Sequence, residues 1–383
     1  MSNCRKSIFA ATAFAAALWT APMFAATNFT VTPLVSNVAG AAASTDPYLI
    51  GTWGISESAS SPFWVSNTAN GTSTVYTVSD SSVANFPTLT MPKVSATPTV
   101  GTIPVSASNK SGTTGTPTGQ VDNGYGVGNF DVTPGTGSNF IFATLDGTIS
   151  ARVGTGATIM IDNGKGGAVY TGLAIGVATE GTSPGPTLYA ANFSLGTIDT
   201  WDKNWKPVAL PGGFQDPDLP PSYFPSNIQR YGRRMYVTYN FSDGTGSFGF
   251  GGPATGLVDV FDTNGNLLQR LVPNNQYMNL PWGLAVTGAN FGSFSYALVV
   301  GNFGDGTISA FDVNSGTYLG TMQDGKGNNI SISGLWGLQW GNGGSGGDAS
   351  TLYFAASPGA GPKGYSQQGL FGAIKPMSDS TLQ

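Results

Sequence analysis

The chain has 383 residues, of which 9% are charged, with 56 glycines and 24 prolines. Long helices are disfavoured by this mixture, whereas short strands joined by tight turns suit it. With 15 basic against 20 acidic residues and no concentrated basic patch, a nucleic-acid partner is not indicated.

The chain opens "MSNCRKSIFAATAFAAALWTAPMFAATNF", in which Arg5 and Lys6 precede an apolar run that ends in small residues near Ala25 and Ala26. This pattern reads as a secretory signal peptide over 1–25. The run is shorter than the ~20 residues that span a bilayer, and no later segment is long enough either. An exported chain, periplasmic or secreted, is the expectation. Without Arg5 and Lys6 there remain 13 basic and 20 acidic residues, a net charge of −7. Cys4, the single cysteine, lies inside the leader, so a mature chain would have neither disulfide nor thiolate ligand. Arg230, Arg233 and Arg234 read as a solvated turn.

After the leader, "NFTVTPLVS" from Asn28 alternates like a strand. A short element then recurs: "WGI" at Trp53, "GNF" at Gly128, "TGL" at Thr171, "SNI" at Ser226, and "WGL" at Trp282 and Trp336. Its second positions, 54, 129, 172, 227, 283 and 337, are separated by 75, 43, 55, 56 and 54 residues. Each start is followed by an apolar strand, such as "FIFATLD" or "ALVVGNF", and then by an alternating one, such as "GTISAFD". Asn70-Gly71, Asp146-Gly147 and Asp305-Gly306 supply hairpin turns between them. Fourth strands read at "TIMIDN", "PVAL", "LLQRLV" and "YLGTM", while the sixth unit lacks one. The expected fold is therefore an all-β six-bladed β-propeller over 28–375, closed by the N-terminal strand, with a loop-rich insertion at 79–125 and a tail at 376–383. Two separate sandwiches are the competing arrangement.

The runs "TDPYLIGTWGIS", "GTPTGQV", "GLVDVFDTNGNLLQRL", "GNFGDGTISAFD" and "GLWGLQWGNG" resemble an uncharacterised family of exported bacterial proteins, some with a PEP-CTERM sorting tail. The resemblance runs from about Asn28 to Ile374. The family's repeats are similar to NHL-type six-bladed propellers, which implies the fold and brings no activity. The ending "GAIKPMSDSTLQ" has no apolar segment with a basic cluster, so a sorting tail is not expected.

Three irregular segments, 79–125, 240–256 and 357–369, fall in connections that share one propeller face, which marks that face as the expected binding surface. Asp46 and Asp216 lie in related loops, "TDPYLIGTWGI" and "QDPDLPPSYFPSNI", before opposed blades one and four. With the strand-one amides Asn129 and Asn227, they form the candidate ligand and metal site, since Ca²⁺ takes carboxylate, amide and backbone oxygens. The alternative is that each aspartate caps its own turn before proline. Asn67, Asn192, Asn240 and Asn302, at second-strand ends, read as turn residues. The run Asp259, Asp262, Asn264, Asn266 resembles part of a Ca²⁺ loop but has no terminal glutamate.

There is no histidine, which excludes a Ser-His-Asp triad and His-ligated metal. Only Glu57 and Glu180 are glutamates. The expected function is therefore non-catalytic binding or scaffolding, with a protein, glycan or small molecule as ligand. The alternative is a metal-dependent hydrolase resembling gluconolactonase-like propellers, with a cation at the channel.

Overall fold

A computed structural model describes residues 28–80, 87–90, 101–109, 112–242, 251–360 and 364–377. The leader, much of the 79–125 insertion and the last residues of the tail lie outside them, as do parts of the two other irregular segments. No helix among the described residues is long and apolar enough to cross a membrane.

Among the described residues there are seven sheets, six of which follow one another as the blades of a propeller, and neighbouring strands within each blade run antiparallel. Blade one is Thr52–Ser56, Phe63–Asn67, Thr72–Asp80 and Pro87–Thr90, with Gly101–Thr102 also paired to its third strand. Blade two is Pro117–Asp122, Phe140–Thr144, Thr148–Val153 and Gly156–Asp162. Blade three is Tyr170–Ala178, Gly185–Asn192 and Thr197–Asp202. Blade four is Tyr223–Tyr231, Arg234–Phe241, Gly256–Asp262 and Leu267–Val272. Blade five is Pro281–Val286, Ala297–Asn302, Ile308–Asp312 and Tyr318–Thr321. Blade six is Leu335–Trp340, Leu352–Ala356 and Leu370–Pro376, and its outer strand is Phe29–Ser36 from the other end of the chain.

This ring closure matches the sequence expectation and has a packing reason. Phe29, Leu34 and Val35 are fully buried, and the Phe29 ring stacks on Phe294 at 5.7 Å. Small clusters of buried Val, Ile, Leu, Phe and Tyr fill the spaces between neighbouring sheets.

The structure corrects two boundaries. The inner strand of blade two is Pro117–Asp122, not the run at Gly128, so its axial residue is Gly119. The axial positions then become 54, 119, 172, 227, 283 and 337, spaced by 65, 53, 55, 56 and 54. "GNF" is instead part of a 17-residue connection, 123–139, between the first and second strands of that blade. "PVAL" forms no fourth strand. Pro207 makes a single bridge to Trp201, after which the chain leaves for blade four, where Phe214 N–H donates to Gly265 O.

Candidate functional site at the channel mouth

Inner strands approach one another closely at the axis, and residue size there is fixed by that approach. A Cβ placed on Gly54, Gly119, Gly172, Gly283 or Gly337 would come closer than 3.0 Å to an atom of the next blade. The sixth axial position holds Asn227, whose amide donates to Trp282 O at 2.8 Å. Its oxygen occupies the space that a Cβ on Gly172 would need. Asn227 is therefore a ring-closing residue, 2% exposed.

In all six blades the register between first and second strands shifts at the residue before the axial position, in blades one, two and six together with the axial residue itself. A bulge re-aims the side chain that it carries. Three of these residues are Trp53, Trp282 and Trp336, and they meet in one buried cluster with Phe193. Trp53 stacks on Trp336 at 3.8 Å, and Trp282 meets Trp336 edge-on at 5.8 Å. The Trp282 indole N–H donates to Thr171 O, from blade five to blade three, so the cluster reaches across the channel. It fills the end of the channel from which the inner strands start, where the Trp336 indole N–H donates to Gly364 O at 2.8 Å.

The opposite end is open. A cavity of about 380 Å³ lies where the inner strands finish. It is lined by Ile55, Ser56 and Glu57 of blade one, Gln120, Val121 and Asp122 of blade two, and Leu173, Ala174 and Ile175 of blade three. Gln229 and Arg230 of blade four and Gln339 of blade six complete it, and Gly124 and Tyr125 come from the 123–139 connection. The cavity thus opens on the face opposite to the expected one, because tryptophans occupy the other end.

Its polar groups are incompletely satisfied. Gln120, 5% exposed, donates its amide to Gly54 O and Trp64 O at 2.9 and 2.6 Å, leaving a buried Oε1 without a partner. The Glu57 Oε2 is also buried and unpartnered. Burial pushes the Glu57 carboxyl up to about 9, against a hydrogen bond from Gln339 that favours its ionised form. Burial alone pushes Asp122 up to about 6. Arg230, in contrast, is exposed at the rim, with one guanidinium N–H on Gly232 O.

The sequence candidates are not brought together here. Asp46 Oδ1 accepts from Tyr48 N–H at 2.9 Å, and Asp216 Oδ1 accepts from Asp218 N–H at 2.9 Å, the same Asx-turn in both Asp-Pro loops. The remaining carboxylate oxygen of each turns into its own blade, Asp46 to the Tyr76 hydroxyl and Asp216 to Arg270. Asn129 lies on the 123–139 connection, not on an inner strand, and its amide donates to Tyr125 O at 3.1 Å. It supports the turn that carries Tyr125 to the mouth. Asn67, Asn192 and Asn302 bond within their own blades, to Thr72, Asp199 and Thr307. Among the described residues no three His, Cys, Asp or Glu side chains group as metal ligands.

Asp216 belongs to a second polar cluster, inside blade four. Arg270 binds it and lies 3.5 Å from Asp259, which is fully buried. Burial, then the neighbouring Asp216 charge, push Asp259 up to about 8. Although burial opposes its charge, Asp216 is held below the usual carboxylate range by its bond to Arg270.

Glu57, Gln120, Asp122 and Gln339 were not singled out from the sequence. The available signal was position: each lies one to three residues beyond an axial glycine.

No family model matches the chain. Three proteins of Acanthamoeba polyphaga mimivirus are similar to it. Uncharacterized protein R640 is 29% identical over 253 residues, 58% of this chain and 46% of that protein. Uncharacterized protein R648 is 30% identical over 329 residues, 83% of this chain and 75% of that protein. Uncharacterized protein L690 is 33% identical over 158 residues, 40% of this chain and 41% of that protein. The chain thus spans less than half the length of R640 and of L690. These relatives are viral, where the sequence resemblance pointed to exported bacterial proteins. Among solved structures, a virginiamycin B lyase from Staphylococcus aureus aligns with TM-score 0.47 at 12% identity, over 91% of this chain and 100% of that one. The WD40 β-propeller domain of Doa1 aligns with TM-score 0.45 at 10% identity, over 87% and 95%. The chain is a six-bladed β-propeller, and it belongs to the family of the mimivirus protein R648.

Proposed function

We propose that this protein is an exported, non-catalytic binding propeller that takes a small polar ligand into the channel mouth where its inner strands end. The observation that carries this reading is the cavity of about 380 Å³ at the inner-strand ends, on which the carboxamides of Gln120, Gln229 and Gln339, the carboxyls of Glu57 and Asp122 and the guanidinium of Arg230 converge. Pockets of this size at the centre of a fold, with a few convergent polar groups, suit small molecules. The irregular loops of the other face remain a surface for a protein or glycan partner, in a scaffold role. The metal-dependent hydrolase reading, with Ca²⁺ at the channel, would have to draw on Glu57 and Asp122, because Asp46 and Asp216 are engaged in their own blades.

A thermal-shift panel of sugars, polyols, nucleosides, amino acids and dicarboxylates tests the reading. At least one class should raise the unfolding midpoint of the full chain and fail to do so in Ile175→Trp, which fills the mouth. If no class shifts the wild type, or the shift survives in Ile175→Trp, the ligand site is not there.

A further inference from the structure

The titratable groups of the mouth are divided by side. Both carboxyls come from adjacent blades, Glu57 at the end of the blade-one inner strand and Asp122 at the end of that of blade two. The cation, Arg230, comes from the inner strand of blade four, which stands opposite blade one in a ring of six. The wall between them is carboxamide and aliphatic, with Gln120, Gln229 and Gln339 beside Leu173 and Ile175.

A neutral polyol would use the carboxamides but would leave this separation of charge unanswered. A ligand with an ammonium group at one end and a carboxylate at the other answers both sides. We propose that the mouth binds a small zwitterion, an amino acid or short peptide, with its ammonium group between Glu57 and Asp122 and its carboxylate on Arg230. This rests on the ligand-site reading above.

Two features support the orientation. Neither carboxyl lining the cavity has a lysine or arginine within ion-pair distance in any described salt bridge. Desolvation is the cause that raises both carboxyls, as befits acids without a counter-charge. Arg230 has used one N–H on Gly232 O, and its planar fork leaves further donors for a carboxylate.

The test is calorimetric titration of the full chain with L-alanine and L-alanyl-L-alanine, each compared with its N-acetyl and C-terminal amide derivatives. At least one zwitterion should bind, and blocking either end should weaken it by at least about tenfold, the scale of one lost charge-assisted contact. Arg230→Gln should abolish the discrimination between carboxylate and amide and leave that between amine and acetyl-amine. Asp122→Asn should do the reverse. Unchanged thermal melting of both variants would show that each still folds. If neither zwitterion binds, or blocked forms bind as well as free ones, the assignment is overturned. If a polyol or sugar binds the mouth while zwitterions do not, this inference fails and the ligand-site reading stands.

Discussion

Trp282 donates its indole N–H to the carbonyl of Thr171, 111 residues earlier and two blades away, and so ties blade five to blade three across the axis. Both residues occupy the bulge before an axial position. Blades one, five and six place tryptophan at this bulge, and blades two, three and four place Thr118, Thr171 and Ser226. Half of the ring thus supplies the plug, while the other half bonds backbone with its hydroxyls. Thr118 donates to Tyr170 O at 2.7 Å and Ser226 to Pro281 O at 3.0 Å.

Trp282→Phe keeps much of the ring contact but removes this donor. The Thr171 carbonyl is then left buried without it, at a cost of about 1–3 kcal/mol. Denaturant unfolding should show a midpoint lowered accordingly, with an unchanged slope. An unaltered midpoint would mean that the bond contributes nothing.

The axial glycines give a sharper expectation. Gly119→Ala sets a methyl against the backbone of Gly172 and Leu173, with no flexible side chain to yield. Overpacking of this kind costs roughly 1–3 kcal/mol or more. The same substitution at Gly156, where a Cβ would meet nothing within 4 Å, should be nearly neutral and serves as the control.

Much of this plan was legible in the sequence. Residues such as "WGL" repeat at nearly constant spacing because each axial glycine meets the next blade, and hairpin chemistry at Asp146-Gly147 and Asp305-Gly306 marks the turns. Blade two departs from the pattern because "TGQ" at Thr118 carries a polar residue where the other repeats have Ile or Leu, and "GNF" at Gly128 matches the repeat better by sequence alone. That polar residue, Gln120, is the one that lines the cavity. Asp46 and Asp216 were legible as a related pair of Asp-Pro turns. Where their second oxygens point depended on Tyr76 and Arg270, at distant positions that no local pattern indicates.

The N-terminal strand should be indispensable. Removing Phe29–Ser36 uncovers Phe29, Leu34 and Val35, each worth roughly 1.5–3 kcal/mol, and opens the edge of Leu370–Pro376. That sum approaches the ~5–15 kcal/mol by which whole domains are stable. A chain beginning after Ser36 should therefore lose cooperative unfolding, and circular dichroism melting measures this.

Blade four should depend on Arg270. Arg270→Met leaves Asp216 and Asp259 buried together without a cation, and breaking a buried pair costs about 3–5 kcal/mol. With Arg270 a quarter exposed, the lower end is expected. Asp259→Asn in the same background should recover part of the loss, and chemical denaturation of the single and double variants checks this.

Glu57 sets a pH dependence. Its folded pKa, about 9, lies above the ordinary glutamate value of 4.5, so between these values the folded state holds more protons than the unfolded state. Stability from this group therefore falls as pH rises through that window. Glu57→Gln should flatten the fall, so that the variant gains on the wild type at pH 8 relative to pH 5. Parallel melting curves would remove Glu57 as the source.

The most direct test of the central claim is diffraction from crystals of the full chain soaked with the best-binding member of the small-molecule panel. Density for the ligand should lie inside the ring of inner-strand ends, between Asp122 and Arg230. Ligand density only among the loops of the tryptophan-plugged face, with the mouth holding none, would contradict it.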